Sequence, residues 1–306
     1  MFTKIDAKAS LPVAKSASRC AYFRESLPNA SCICLSTLSC FLASGLHGEN
    51  PYVFPDDRNE KVSGLEKQQD NLKILSGLII AWWFILILFN DFPQLDTSFQ
   101  SLFFSPAECL SSANSRPVCG AFPFSQHWFF VDLRRIFFWL PPVIAMALVA
   151  YILFSWHDTH NPATKEHVHQ VLLVVTSWVL SVGFLVNFIL KAYSGRPRPV
   201  NTDLFGGLEH FIPAGGFGGT CQSNCSFISG EAASAGWLVC LIPILPAGLR
   251  PVLAPILIVV SLATSFLRIT FGGHYLSDVL LGWLSAPLVF FALVCLFGWK
   301  TDTGKS

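Results

Sequence analysis

What this sequence has least of is charge. Only 13% of its 306 residues are Asp, Glu, Lys or Arg, where soluble domains carry about 25%. The formal net charge is +1, so the chain has no broad basic field of the kind that holds nucleic acid. Nothing points to internal repeats or to a separate soluble domain. Nor do His, Asp, Glu and Cys cluster at metal-ligand spacing. What fills the chain is apolar: 52% of its residues are hydrophobic. That balance points to the membrane.

A membrane-crossing helix needs about 20 mostly apolar residues. Six segments read this way: 72–89, 136–156, 171–190, 227–245, 252–267 and 279–299. The expected fold class is all-α, a polytopic bundle of six membrane helices. The fifth segment is the shortest, but Arg268 can snorkel at its end. Pro141 and Pro142 stand early in the second, where a helix tolerates proline best. Trp82, Trp128, Trp156 and Trp299 flank segments as interfacial anchors do. Residues 1–70 are polar, mixed and basic, and read as a cytoplasmic tail. Within them the run CICLSTLSCFLASGL, 32–46, resembles a signal h-region, whose cleavage would invert every later helix. Residues 71–300 make the membrane domain and 301–306 a short cytoplasmic tail.

The distribution of Lys and Arg favours a cytoplasmic N-terminus. The tail carries Lys4, Lys8, Lys15, Arg19, Arg24, Arg58, Lys61 and Lys67, and the C-terminus adds Lys300 and Lys305. Arg134 and Arg135 on the outer side weaken that bias. Lys191, Arg196, Arg198 and Arg268 cluster there at helix ends and need another explanation. Cys109, Cys119, Cys221 and Cys225 also fall outside. If that side is a bacterial periplasm, disulfides form there. Four cysteines allow three connectivities. The local one, Cys109–Cys119 with Cys221–Cys225, is expected, with free thiols as the alternative.

Three short stretches gather on the outer side. KAYSGRPRP, 191–199, supplies Lys191 and Arg198 on a stiff, non-helical exit. SFISGEAAS, 226–234, opens the fourth helix, where Ser229 can cap and backbone N–H groups attract an anion. FLRITFGGHYLSD, 266–278, brings Arg268 and then His274 and Asp278 at i, i+4, which places a carboxylate near an imidazole. Each alone has a plain structural reading. Together they describe an oxyanion site with a nucleophile. Glu231 is the odd member, a carboxylate one turn inside an apolar segment, where charge is costly unless paired, protonated or wet.

In order and spacing these stretches resemble the type 2 phosphatidic acid phosphatase (PAP2) superfamily, which shares a helical core with the vanadium haloperoxidases. The family's Lys, six residues, Arg-Pro motif is intact as Lys191 to Pro199. Its Pro-Ser-Gly-His reads Ile228-Ser229-Gly230-Glu231, altered at both ends. Its Ser-Arg, five residues, His, three residues, Asp has Leu267 for Ser but keeps Arg268, His274 and Asp278. The resemblance spans roughly residues 72–299. It implies that His274 is a nucleophile forming a phosphohistidine and that Asp278 orients it. Lys191, Arg198, Arg268, Ser229 and Gly230 would bind the phosphate, with no metal or cofactor. Glu231 stands where the family has its acid histidine. It would act as general acid, or hold a structural hydrogen bond to a group such as Lys191, or mark an inactive site.

The resemblance implies a lipid phosphomonoesterase. The expectation is removal of the 1-phosphate of lipid A on the periplasmic face of a bacterial inner membrane. Phosphatidylglycerophosphate, phosphatidate and undecaprenyl pyrophosphate are alternative substrates. A lipid-binding or transport role without chemistry, or phosphotransfer between lipids, is the alternative of another class. The aromatics Phe122, Phe124, Trp128, Phe129 and Phe130 would guide a lipid or simply pack. The glycine-rich loop 206–219 would form a mobile wall or only a connector.

Overall fold

The structure is a computed structural model and describes residues 57–108, 118–156 and 161–299. Helix α1, Asp57–Asp91, begins inside the stretch read as a tail. Opposite charges one turn apart support that polar extension, as in Lys73 Nζ to Asp70 at 2.8 Å. Residues 1–56 lie outside the described residues. A bend leads to α2, Gln94–Ser101, and a two-stranded antiparallel ribbon pairs β1, Ser105–Ala107, with β2, Cys119–Ala121. The short α3, Pro123–Gln126, precedes α4, Trp128–Ser155.

Helix α5, Pro162–Trp178, runs on as a π-helical segment, Val179–Leu190, and ends in α6, Lys191–Tyr193. The wider π turns occur often at functional sites, and this one leads directly to Lys191. Three further helices follow: α7, Gly230–Cys240, α8, Arg250–Thr270, and α9, Leu276–Phe297.

Five helices are long and apolar enough to cross a membrane: Gly64–Asp91, Trp128–Ser155, Pro162–Leu190, Arg250–Thr270 and Leu276–Phe297. The expected sixth, 227–245, is shorter. Its helical part covers Gly230–Ile244, about 22 Å at 1.5 Å per residue, against a hydrocarbon core of about 30 Å. Pro243 lacks the N–H that an α-helix would need there, and only a 3-10 turn, Ile242–Ile244, continues the chain. The segment is apolar for a different reason. Ala232, Ala233, Ala235, Trp237, Leu238 and Cys240 are buried in protein.

Small residues let α7 press against α9. A methyl group on Gly236 would collide with the Trp283 carbonyl, and one on Gly282 with the Ser229 carbonyl, the close approach that glycine permits between membrane helices. Below the contact Trp237, Leu238, Ala286 and Phe290 form the main core with Val174 and Ala145. Around this centre α1 and α4 expose Ile80, Phe84, Met146 and Phe154, as a lipid-facing surface requires. The chain is a multi-pass membrane protein.

The aromatic and glycine-rich loops pack closely, one of the two alternatives open for each. Phe122 is buried against Phe104 and Phe205, while Trp128 and Phe129 stay exposed. The glycine-rich loop is pinned: Asn90 Nδ2 donates to the Ala214 carbonyl at 2.8 Å. Gly219 lies so close to Gly195 that a side chain would strike its carbonyl. The Cys221–Cys225 disulfide closes the next turn. Cys109, the partner expected for Cys119, lies outside the described residues.

Candidate active site

The site gathers where the π segment, α8 and the loops before α7 and α9 meet. His274 sits in the turn between α8 and α9 and is 1% exposed. Its Nδ1 lies 2.7 Å from the Ser226 carbonyl. A carbonyl can only accept, so Nδ1 carries the proton and Nε2 keeps its lone pair. Burial holds the imidazole well below its usual pKa, and Arg268, Arg198 and Lys191 act in the same direction. The ring is therefore neutral and able to attack as a nucleophile.

Asp278 was expected to orient this ring directly. Its Oδ2 is 4.0 Å from Nδ1, beyond hydrogen-bond reach. That oxygen instead accepts the Ser226 hydroxyl at 2.5 Å and the Tyr275 N–H at 3.1 Å. Asp278 thus acts on His274 through Ser226, whose carbonyl makes the direct bond. Ser229 caps α7, as its place before Gly230 suggested. It is fully buried, accepts from Ala232 N at 3.3 Å, and donates its own N–H to the Asp278 carbonyl at 3.0 Å. An accepting hydroxyl keeps its O–H as a donor.

The other expected residues do come together. A cavity of about 530 Å³ is lined by Lys191, Arg198, Gly230, Glu231, Arg268 and His274. Arg198 is anchored by Nε to the Asn224 carbonyl at 3.0 Å. Arg268 is 3% exposed, and its Nε has no hydrogen-bond partner among the described residues. Gly273 makes room for this guanidinium: a Cβ there would stand 2.8 Å from Arg268 Nη2. Burial lowers the Lys191 pKa to about 8, helped by Arg198 and Arg268 and opposed by Glu231 and Asp278. Gly230 lies beside it, its Cβ direction ending 3.5 Å from Lys191 Nζ and 3.2 Å from Asn187 Oδ1.

Glu231 meets a partner that the sequence did not suggest. Arg134 Nε donates to Oε2 at 3.1 Å and Arg134 Nη2 to Oε1 at 2.6 Å. Arg268 Nη1 lies 3.4 Å from the same Oε1. This bidentate pairing is the strong form of an arginine–carboxylate contact. It also gives a task to Arg134, a cation near the start of a membrane helix. Arg134, Asn187, Arg196, Asp96 and Ser226 all escaped sequence reasoning. For the two arginines the signal was present, as cations at membrane-helix ends without an assigned task.

The far wall of the cavity is apolar. Phe137, Phe138, Trp139 and Pro142 come from α4, and Trp178 and Val182 from the α5–π span. Phe138 and Trp139 are also exposed on the lipid-facing flank. The glycine-rich loop contributes nothing to this lining. Among the described residues, no three His, Cys, Asp or Glu side chains group as metal ligands would.

A neutral buried histidine thus stands beside a cluster of cations in a cavity that reaches the exposed apolar flank, an arrangement consistent with a membrane phosphatase. The PAP2 superfamily model matches residues 170–302. Curated relatives agree. A protein of Rhizobium etli named lipid A 4′-phosphatase is 44% identical over 220 residues, 72% of this chain and 85% of that one. One of Rhizobium leguminosarum with the same name is 43% identical over 219 residues, 72% of this chain and 94% of that one. A third, of Francisella tularensis subsp. novicida, is 30% identical over 210 residues, 67% of this chain and 87% of that one. The chain belongs to the PAP2 superfamily. Among solved structures, the PAP2-type phosphatidylglycerolphosphate phosphatase of Bacillus subtilis matches with a TM-score of 0.46 and 16% identity, over 75% of this chain and 98% of that one.

Proposed function

We propose that this protein removes the 4′-phosphate of lipid A through a phosphohistidine on His274, at the periplasmic face of a bacterial inner membrane. The observation that carries an amphipathic substrate is that one cavity joins the cations Lys191, Arg198 and Arg268 to an aromatic wall with exposed apolar side chains. Relatives named for the 4′-position favour it over the 1-position that the family resemblance implied.

In this reading Nε2 of His274 attacks phosphorus. The ester P–O bond breaks, and its electron pair leaves on the sugar oxygen, which is protonated from water. Lys191, Arg198 and Arg268 hold the phosphoryl oxygens and stabilise the charge that builds on them. Water then attacks phosphorus, the N–P pair returns to Nε2, and phosphate departs. Glu231 acts as a clamp that aligns Arg134 with Arg268. Both of its oxygens accept from Arg134, the bidentate geometry that fixes a guanidinium in place.

Purified protein given lipid A with both phosphates should yield a product lacking one, and fragmentation in the mass spectrometer should place the loss at the 4′-position. Loss from the 1-position overturns the positional assignment. Phosphate release from phosphatidate with lipid A untouched overturns the substrate. A pH dependence should accompany this activity. Lys191 is charged below its pKa of about 8 and loses its hold on the phosphate above it. The value of kcat/KM should therefore be level up to about pH 8 and then fall. Lys191→Arg should abolish that decline, because guanidinium stays charged throughout the range.

A further inference from the structure

A second polar cluster lies behind the nucleophile and faces no substrate. Asp96 stands in the first turn of α2 with no exposed surface. One of its oxygens accepts from the Ser277 N–H at 2.9 Å. The other accepts from the Ser277 hydroxyl at 2.5 Å and from Arg196 Nη2 at 2.8 Å. Arg196 is equally buried, and its Nη1 reaches Asp278 Oδ1 at 2.6 Å. Its Nε donates to the Ile212 carbonyl at 2.8 Å, and its guanidinium lies 4.4 Å from the centre of the Tyr275 ring. The chain of contacts continues from Asp278 to the Ser226 hydroxyl, and from the Ser226 carbonyl to His274 Nδ1.

Charge is the informative part. Two carboxylates, Asp96 and Asp278, share one guanidinium, so with both ionised the buried cluster holds one negative charge in excess. Burying an excess charge is costly. A rigid support for the ring would need only the Arg196–Asp278 pair, which is neutral. The excess has a use once His274 reacts. The ring keeps its Nδ1 proton when Nε2 bonds to phosphorus, so the phosphorylated imidazole is a cation. It forms beside Lys191, Arg198 and Arg268, which disfavour it. A negative charge behind the ring offsets them.

The geometry points to Asp96 as a positioning residue whose charge, passed through Arg196, Asp278 and Ser226, stabilises the phosphorylated cation of His274. This rests on the phosphohistidine reading proposed above. In the step concerned, the Nε2 lone pair forms the N–P bond, and the ester oxygen leaves with the P–O pair and takes a proton from water. The cluster itself gains and loses no proton.

The test uses the full chain in detergent, with lipid A labelled on its phosphate. Asp96→Asn makes the cluster neutral and should lower kcat by about 10²-fold, the scale of losing one preorganised electrostatic contact. KM and inhibition by inorganic phosphate should stay within about threefold of the parent. The labelled protein adduct trapped by rapid quenching should fall with kcat.

Adding Arg196→Gln to Asp96→Asn leaves Asp278 alone and restores the formal count of one carboxylate in excess. The double variant should regain about tenfold or more of the turnover lost, a non-additivity that only coupled residues show. A purely structural network predicts the opposite, since losing two members is worse than losing one. A double variant no better than the single one, or a loss carried by KM, overturns the proposal. If Asp96→Asn does not fold, the double variant decides alone. Turnover within about 10²-fold of the parent supports the charge role, and a larger loss overturns it. Failure of both to fold assigns the network to folding and also overturns it. His274→Ala run alongside separates the two readings: if it still turns over, the phosphohistidine reading fails whatever Asp96 does.

Discussion

Replacing His274 with alanine should lower turnover on lipid A by about four orders of magnitude or more, the scale seen when a covalent nucleophile is lost. The imidazole is neutral, buried and held by the Ser226 carbonyl with Nε2 left unprotonated. No other uncharged nitrogen nucleophile lines the cavity among the described residues. The loss should fall on kcat, because Lys191, Arg198 and Arg268 remain to bind phosphate. Labelled phosphate trapped on the parent by rapid quenching should be absent from the variant. The adduct should be lost in acid and kept in base, as an N–P bond is. A variant that keeps its turnover, or its adduct, would mean that a different group attacks.

The second large effect concerns Glu231. Glu231→Gln should lower kcat/KM by about 10²-fold while the shape of the pH profile is retained. The amide keeps one acceptor but sets an NH2 against a donor of Arg134, so the bidentate clamp opens. Arg134 loses its alignment, and Arg268 loses the carboxylate that lies 3.4 Å from its Nη1. Both guanidinium groups line the cavity, so the loss reaches phosphate binding and the transition state together. A general acid would behave differently. Its replacement by Gln would remove a high-pH limb of the profile along with the activity. Disappearance of such a limb, on a Lys191→Arg background where the lysine no longer titrates in this range, would return Glu231 to the proton-donor role. Turnover undiminished by Glu231→Gln would exclude both roles.

The clamp and the cluster behind the nucleophile divide the labour. On the cavity side, Arg134 and Arg268 share one carboxylate. Behind the ring, Asp96 and Asp278 share one guanidinium, an arrangement that under the proposal offsets the cation formed on His274. The short α7 fits this arrangement. Its N-terminus carries Glu231 between the two arginines, and its buried, small side chains fix that end against α9. A helix packed on all sides by protein need not match the bilayer thickness.

Much of this was legible in the chain. The shortage of charge and the long apolar runs require a membrane bundle, because unpaired backbone and charge are not tolerated in hydrocarbon. Five of the six expected spans follow from that alone. Lys191, Arg198, Arg268 and His274 were legible because the resemblance rests on spacing along helix ends, where three or four residues make one turn and side chains share a face. Cys221 and Cys225 were legible because they are close in sequence.

Contacts between distant segments were not. Arg134 reaches Glu231 across 97 positions, and Asp96 reaches Ser277 across 181; no periodicity within one element encodes either. Hydropathy cannot separate a helix buried in lipid from one buried in protein, since both exclude water, so the short length of α7 and its packing inside the bundle came from the structure. Spacing at i, i+4 brought Asp278 near His274 but left the hydrogen bond to a carbonyl from another loop. The sequence by itself determined that this protein is a membrane bundle with Lys191, Arg198, Arg268 and His274 at or near helix ends. Only the tertiary structure decided which charges face each other there, because pairing depends on where helix ends meet in space.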